Sequence, residues 1–345
     1  MIWHPLVWAF WAATASGSLL YLVAAMRAMD VAANWAPMQT DADQLQRERH
    51  AEIAALLGRG SMGCLSAAAV MGLTGIALFW HRIVPGAMCG TGVLQAMGIA
   101  GYRAILFWSV ALILLFGWRV MDGLDDHHPD GVLVPMAARL FITAAPFIIL
   151  ALVHSWQALM RIDGAPPVSC CAAVYDQVLS NASDSTRMAG LLRATLWISL
   201  PGSALLALAS LVTAFRPSAR VTGKAIAVMA ILWSVCAGVD VKHVWSAYYY
   251  EVLSHPCPWC LFLPDYYGAG FLIFACLGVV ILEGVAFWVA DHTARTHAVL
   301  AEPAGRRRRK AAWRVIASIF VFTLLTIGPA LAWRMRTGVW MDGSF

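Results

Sequence analysis

The chain is poor in charge: Asp, Glu, Lys and Arg make up 12% of its 345 residues, about half the share usual in a soluble domain. With 61% of the residues apolar, that shortage excludes an ordinary water-soluble globule. No stretch between the apolar runs is long enough to bury a core of its own, so no sizeable soluble domain is expected. The N-terminus lacks a Lys/Arg-rich start, and Arg27 follows the first apolar run instead of preceding it. That run reads as a first transmembrane helix and not as a cleaved signal peptide. Neither an internal repeat nor a low-complexity tract is visible.

What is there is a series of apolar runs. Eight of them approach or meet the roughly 20 residues that a spanning helix needs: 5–26, 61–84, 102–120, 132–156, 189–215, 223–247, 264–290 and 312–333. The expected fold class is an all-α, polytopic integral membrane protein with about eight transmembrane helices, in contact with membrane lipid. A polar stretch with Asp41, Asp43, Arg47, Glu48, Arg49 and Glu52 follows the first run, and its end has the pattern of a surface-lying helix. The net charge of +5 does not call for a nucleic acid. Its densest part, Arg306–Lys310, sits between two apolar runs and reads as a topology signal on a cytoplasmic loop.

Short loops rich in Lys and Arg stay in the cytoplasm. Arg27, Arg47, Arg49 and Arg59 follow the first run; Arg216, Arg220 and Lys224 follow the fifth; Arg295 and the Arg306 block follow the seventh. All three loops are therefore expected in the cytoplasm, with both termini outside a bacterial-type inner membrane. The loop after the third run is acidic, with Asp122, Asp125, Asp126 and Asp130, but acidic residues count little in this rule. The assignment puts Cys89, Cys170, Cys171, Cys257 and Cys260 in outer loops, where disulfides persist. Five is an odd number, so at least one of these sulfurs is unbridged or bonded to another chain. Cys64, Cys236 and Cys276 fall inside helices and read as small buried hydrophobes.

The sharpest local signal is Ser254-His-Pro-Cys257-Pro-Trp-Cys260-Leu-Phe262, where the loop after the sixth span runs into the seventh. Two cysteines separated by two residues can close a small disulfide, and a helix N-terminus nearby stabilises the first as a thiolate. Thiol–disulfide exchange, a static disulfide and half of a metal site are all open readings of this pair.

Cys257-Pro-Trp-Cys260-Leu-Phe, followed by Tyr266, Tyr267 and Gly268, resembles the C-x-x-C of the DsbB and vitamin K epoxide reductase (VKOR) group of quinone-linked disulfide-forming enzymes. The order of parts is similar to the VKOR branch: a helix, an outer loop with a second cysteine pair, two helices, then the C-x-x-C and the last helix. Residues 132–290 follow that order, with Ser169-Cys170-Cys171 and the run to Ser180 as the loop. The resemblance implies that Cys257 and Cys260 sit beside a quinone, Cys260 passing electrons to it. It implies that Cys170 or Cys171 shuttles with a periplasmic thioredoxin-like protein, a folding substrate or another redox subunit. One departure is that Cys170 and Cys171 are adjacent, where the family's loop cysteines are several residues apart; a vicinal bridge is strained, and Cys89 could be the missing partner of one of them. On this reading the chain divides into 1–131, a three-helix segment, 132–290, the VKOR-like four-helix module, and 291–345, a basic loop with a last helix.

Histidines open a second possibility, a haem-binding membrane subunit of a respiratory complex. His154 and His243 lie at comparable depths near outer helix ends, as bis-histidine ligation requires, and His81 is at the same level. Interfacial hydrogen bonding is the plainer account of all three, and His127 and His128 read as solvated. Asp240, Lys242 and His243 form a charged cluster within the sixth run, where Asp240 and His243 share a helix face. They could relay the protons that quinone reduction consumes, or form a local ion pair. Glu283 and Arg139 are at a similar level and could pair. Most of the 16 tryptophans, Trp259 among them, read as an aromatic belt. A third reading is a scaffold or transporter whose outer loops the cysteines merely staple.

Overall fold

A hydrocarbon core about 30 Å thick is crossed by a helix of about 20 residues at 1.5 Å per residue, and most helices of this protein exceed that. The computed structural model describes residues 4–35, 41–127, 131–162, 165–168, 185–216, 223–251 and 257–341. Eight of its helices or helix pairs are long and apolar enough to span, and no strand occurs among the described residues. Leu19, Leu205, Leu232, Phe320 and Leu324 are well exposed, as expected of side chains that face lipid tails instead of water.

The chain divides into two compact units. The first gathers Met1–Val84, Val93–Pro166 and Thr293–Ala304. Its helices are α1 (Pro5–Asn34), α2 (Asp41–Thr74), a short α3 (Gly90–Met97) that begins in the other unit, α4 (Ile99–Asp125), α5 (Val134–Thr143) and α6 (Ala145–Ile162). The polar stretch expected to lie on the membrane surface is instead the start of α2, whose 34 residues make a rod of about 51 Å. The apolar run 132–156 is broken into α5 and α6, because Pro146 has no N–H to donate back into the preceding turn. Tyr21 ties α1 to α5, its hydroxyl donating to the Phe141 carbonyl at 2.6 Å. Phe141 in turn packs on Trp118 of α4, ring centres 4.8 Å apart. Trp108 Nε1 of α4 donates to Ser155 Oγ of α6 at 3.0 Å. The acidic end of α4 is neutralised locally: Arg59 meets Asp122 at 2.9 Å and Asp126 at 3.0 Å.

The second unit gathers Pro85–Gly92, Pro167–His292 and Gly305–Phe345. It contains α7 (Ser185–Phe215), α8 (Gly223–Asp240), a π-helical segment Val241–Trp245, α9 (Ser246–Tyr250), α10 (Ala269–Thr296) and most of α11 (Ala301–Thr337). Trp233 is its hub: Nε1 donates to Ser203 Oγ at 2.8 Å on α7, and the ring packs edge-on against Phe322 of α11. Tyr249 donates to the Leu325 carbonyl at 2.7 Å. The Arg306–Lys310 stretch is not loop but the beginning of α11. That helix, at 37 residues, is about 55 Å long, so its basic turns project beyond the apolar layer. Arg307 and Arg314 both reach Glu283 at 2.7 Å; these, not Arg139, are the partners described for that carboxylate. Arg308 lies 3.6 Å from Asp291.

Val134–Ile162 joins the N-terminal helices through Tyr21, Trp118 and Trp108, whereas the last helix closes over Trp233 and Glu283.

Candidate functional site: three buried cysteines

Within the second unit the chain between α9 and α10 folds back tightly. Cys257 is extended, and Pro258, whose fixed φ suits a first helical position, opens a 3₁₀ turn over Pro258–Phe262 that buries Cys260, Leu261 and Phe262. A second turn, Pro264–Tyr266, and the left-handed Tyr267 and Gly268 then lead into α10. The C-x-x-C therefore does not open the spanning helix, as the sequence led us to expect. It has a turn to itself, and α10 begins only at Ala269, its first turn packed on the end of the cysteine turn, where a Cβ at Gly270 would stand 3.0 Å from the Leu261 carbonyl carbon.

The third sulfur comes from far away in the sequence. Pro85–Gly92 belongs to this unit, and the Val168 N–H donates to the Pro85 carbonyl at 2.9 Å. Gly90 lies flat on the Trp259 indole, where a Cβ would stand 2.5 Å from the ring; glycine is what lets the two segments meet this closely. The result brings Cys89 Sγ to 3.5 Å from Cys257 Sγ. With Cys260, the three sulfurs all lie within 4.8 Å of one another.

The cluster is dry. Cys89, Cys257 and Cys260 are 1%, 2% and 8% exposed, and Tyr250, Trp259, Leu263 and Tyr266 pack around them. Thr91 Oγ1 is 3.1 Å from Cys257 Sγ. The Tyr250 hydroxyl donates to the Cys257 carbonyl at 2.5 Å, and its ring packs edge-on against Tyr266 at 4.6 Å. Burial, then the neighbouring Cys260 and Asp265, push the Tyr266 phenol above its ordinary value. Three sulfurs at these separations can exchange a disulfide among themselves or converge on one soft metal ion.

Of the other residues singled out in the sequence, Cys170 and Cys171 lie outside the described residues. His154 is on α6 in the first unit, its Nδ1 3.0 Å from Gln157 Oε1 and its ring stacked on Phe107. His243 is in the π-helical segment of the second unit. His81 sits in the turn Trp80–Arg82, at the end of the helix that α2 begins. Asp240, fully buried, accepts hydrogen bonds from Ser199 and Thr195 of α7. The π-helical segment that begins at Val241 changes the register on which a shared Asp240–His243 face relied. Sequence reasoning missed Gly90, Thr91 and Tyr250; the only signal for the first two was their position directly after Cys89. Comparison with protein-family models, with curated proteins and with solved structures finds no match.

Proposed function

We propose that this multi-pass membrane protein is a thiol–disulfide oxidoreductase in which Cys89, Cys257 and Cys260 form a sulfur relay between extracytoplasmic thiols and a membrane quinone. The observation that carries the reading is the 3.5 Å approach of Cys89 to Cys257 with Cys260 in the same cluster. Exchange needs a third sulfur within reach of a bridged pair, and positioning of this kind replaces a bimolecular encounter.

The relay step balances as follows. With Cys257 and Cys260 bridged, the Cys89 thiolate attacks Cys257 Sγ; the Cys89–Cys257 bond forms, the Cys257–Cys260 bond breaks, and Cys260 leaves as a thiolate. An outer dithiol, on Cys170 and Cys171 or on a thioredoxin-like partner, reduces the Cys89–Cys257 bond and is itself oxidised to a disulfide. Cys257 and Cys260, now both reduced, close their bridge again and release two electrons and two protons. The quinone supplies the acceptor for both pairs. Tyr250, Trp259, Leu263 and Tyr266, packed on the sulfurs, give the cluster aromatic and apolar surroundings compatible with a lipid-soluble acceptor. The distribution of Arg and Lys among the loops supports an orientation with this turn outside the inner membrane and the start of α11 inside.

The test is dithiol oxidation by the protein reconstituted in vesicles with and without a short-chain quinone. Oxidation that requires the quinone and disappears in Cys257→Ala supports the reading; a rate indifferent to both sinks it.

A further inference from the structure

We propose that Cys89, Cys257 and Cys260, when reduced, bind one divalent, thiophilic cation of the zinc class. Zinc–thiolate bonds are about 2.3 Å, and tetrahedral angles then separate neighbouring sulfurs by about 3.8 Å. The observed separations, 3.5 Å for Cys89 to Cys257 and none above 4.8 Å, bracket that value. A point equidistant from three atoms so spaced is within about 2.8 Å of each, close to bonding range.

The donor set selects the ion. Three sulfurs with no carboxylate among them disfavour magnesium and calcium, which take oxygen ligands, and favour soft or borderline cations. Burial then selects by charge: three thiolates around a divalent ion leave a net charge of about −1, around monovalent copper about −2, and a dry site penalises the larger residual charge. Support from outside the ligands is in place. The Thr91 hydroxyl, 3.1 Å from Cys257 Sγ, can donate to the thiolate, and Tyr250 fixes the Cys257 carbonyl. Such outer partners orient ligands and raise affinity. Among the described residues three protein ligands converge, and a fourth position is left for a water or an incoming thiolate.

Metal binding and bridging exclude one another. Binding consumes thiolates and releases their protons to solvent; closing a disulfide between any two of the three removes two ligands and expels the ion. The inference uses the sulfurs of the proposed relay but stands without it, since a thiol trio that never exchanges would bind the ion equally.

The test uses the full-length protein in lipid nanodiscs, reduced, stripped with a chelator and titrated with Co(II), a coloured substitute for zinc. We expect one cobalt per chain, a thiolate-to-cobalt charge-transfer band, its displacement by equimolar Zn(II), and its loss and recovery as the wild-type protein is oxidised and reduced again. Cys89→Ser and Cys260→Ser are each expected to weaken binding at least about 100-fold, the upper end of what losing even an outer partner costs; Cys276→Ser leaves it unchanged. No band in wild-type protein whose thiols are shown by alkylation to be reduced, a band that survives Cys89→Ser, or uptake of Cu(I) but of neither cobalt nor zinc overturns the proposal. A dithiol-oxidation assay on the same preparation separates the two claims: an intact band without oxidation counts against the relay alone.

Discussion

The two units are built from the same kind of span but are held together differently. In the first, described interhelical ties are mostly aromatic and neutral, as with Tyr21, Trp118 and Phe141, and the ion pair of Arg59 with Asp122 has an exposed arginine. The second buries charge as well as apolar surface: Glu283 and Asp291 are 3% and 8% exposed, Arg308 is 7% exposed, and Asp240 is fully covered. It also assembles the three sulfurs. Burying charge is costly unless it is paired, so the second unit depends on charge pairing in its interior where the first relies mainly on packing.

That contrast can be broken by mutation. The largest effect is expected at the relay: Cys89→Ser should reduce dithiol oxidation by at least about 100-fold, the scale on which an essential participant in a covalent step is missed, with the unfolding midpoint nearly unchanged. Next comes Glu283→Gln, which leaves Arg307 and Arg314 without their carboxylate. It should destabilise the protein by about 3 kcal/mol, read by denaturant titration in detergent. An effect under a third of that would mean that the buried ions do not distinguish the second unit. Gly90→Ala puts a methyl group against Trp259 and should slow oxidation by about tenfold, equivalent to about 1.4 kcal/mol. The double variant Gly90→Ala, Trp259→Ala should recover part of that loss, because the clash partner is gone.

In the first unit, a Cβ at Gly58 would stand 2.6 Å from the Trp118 ring. Gly58→Ala should therefore cost about 1–3 kcal/mol by overpacking while leaving oxidation per folded molecule unaltered. Arg59→Gln, at an exposed rim, should move stability by no more than about 1 kcal/mol. An oxidation rate that fell in Gly58→Ala would show that the first unit contributes more than packing.

The helical membrane fold was readable from hydropathy because a span is a local property: about 20 apolar residues suffice, wherever their neighbours come from. The C-x-x-C was readable for the same reason. What local pattern could not supply was the partner of Cys257. Cys89 was one of several outer cysteines, and what brings it to Cys257 is a glycine meeting a tryptophan 169 positions later, Gly90 on Trp259. The π-helical segment after Asp240 was equally hidden, since its extra residue per turn is a response to tertiary packing and leaves no composition of its own. Helix lengths were underestimated where polar residues continue a helix beyond the apolar layer, as at the beginnings of α2 and α11. The break at Pro146 was visible as a residue, and its consequence follows from the missing N–H.

The most direct test of the three-sulfur site is disulfide mapping by mass spectrometry on the Cys260→Ser protein, oxidised in the membrane and digested without reduction. The account predicts a Cys89–Cys257 bridge as the dominant product, because removing Cys260 leaves Cys89 as the nearest described sulfur, 3.5 Å away. Recovery of Cys257 as an unmodified thiol under conditions that oxidise Cys257 and Cys260 in the wild type would contradict it.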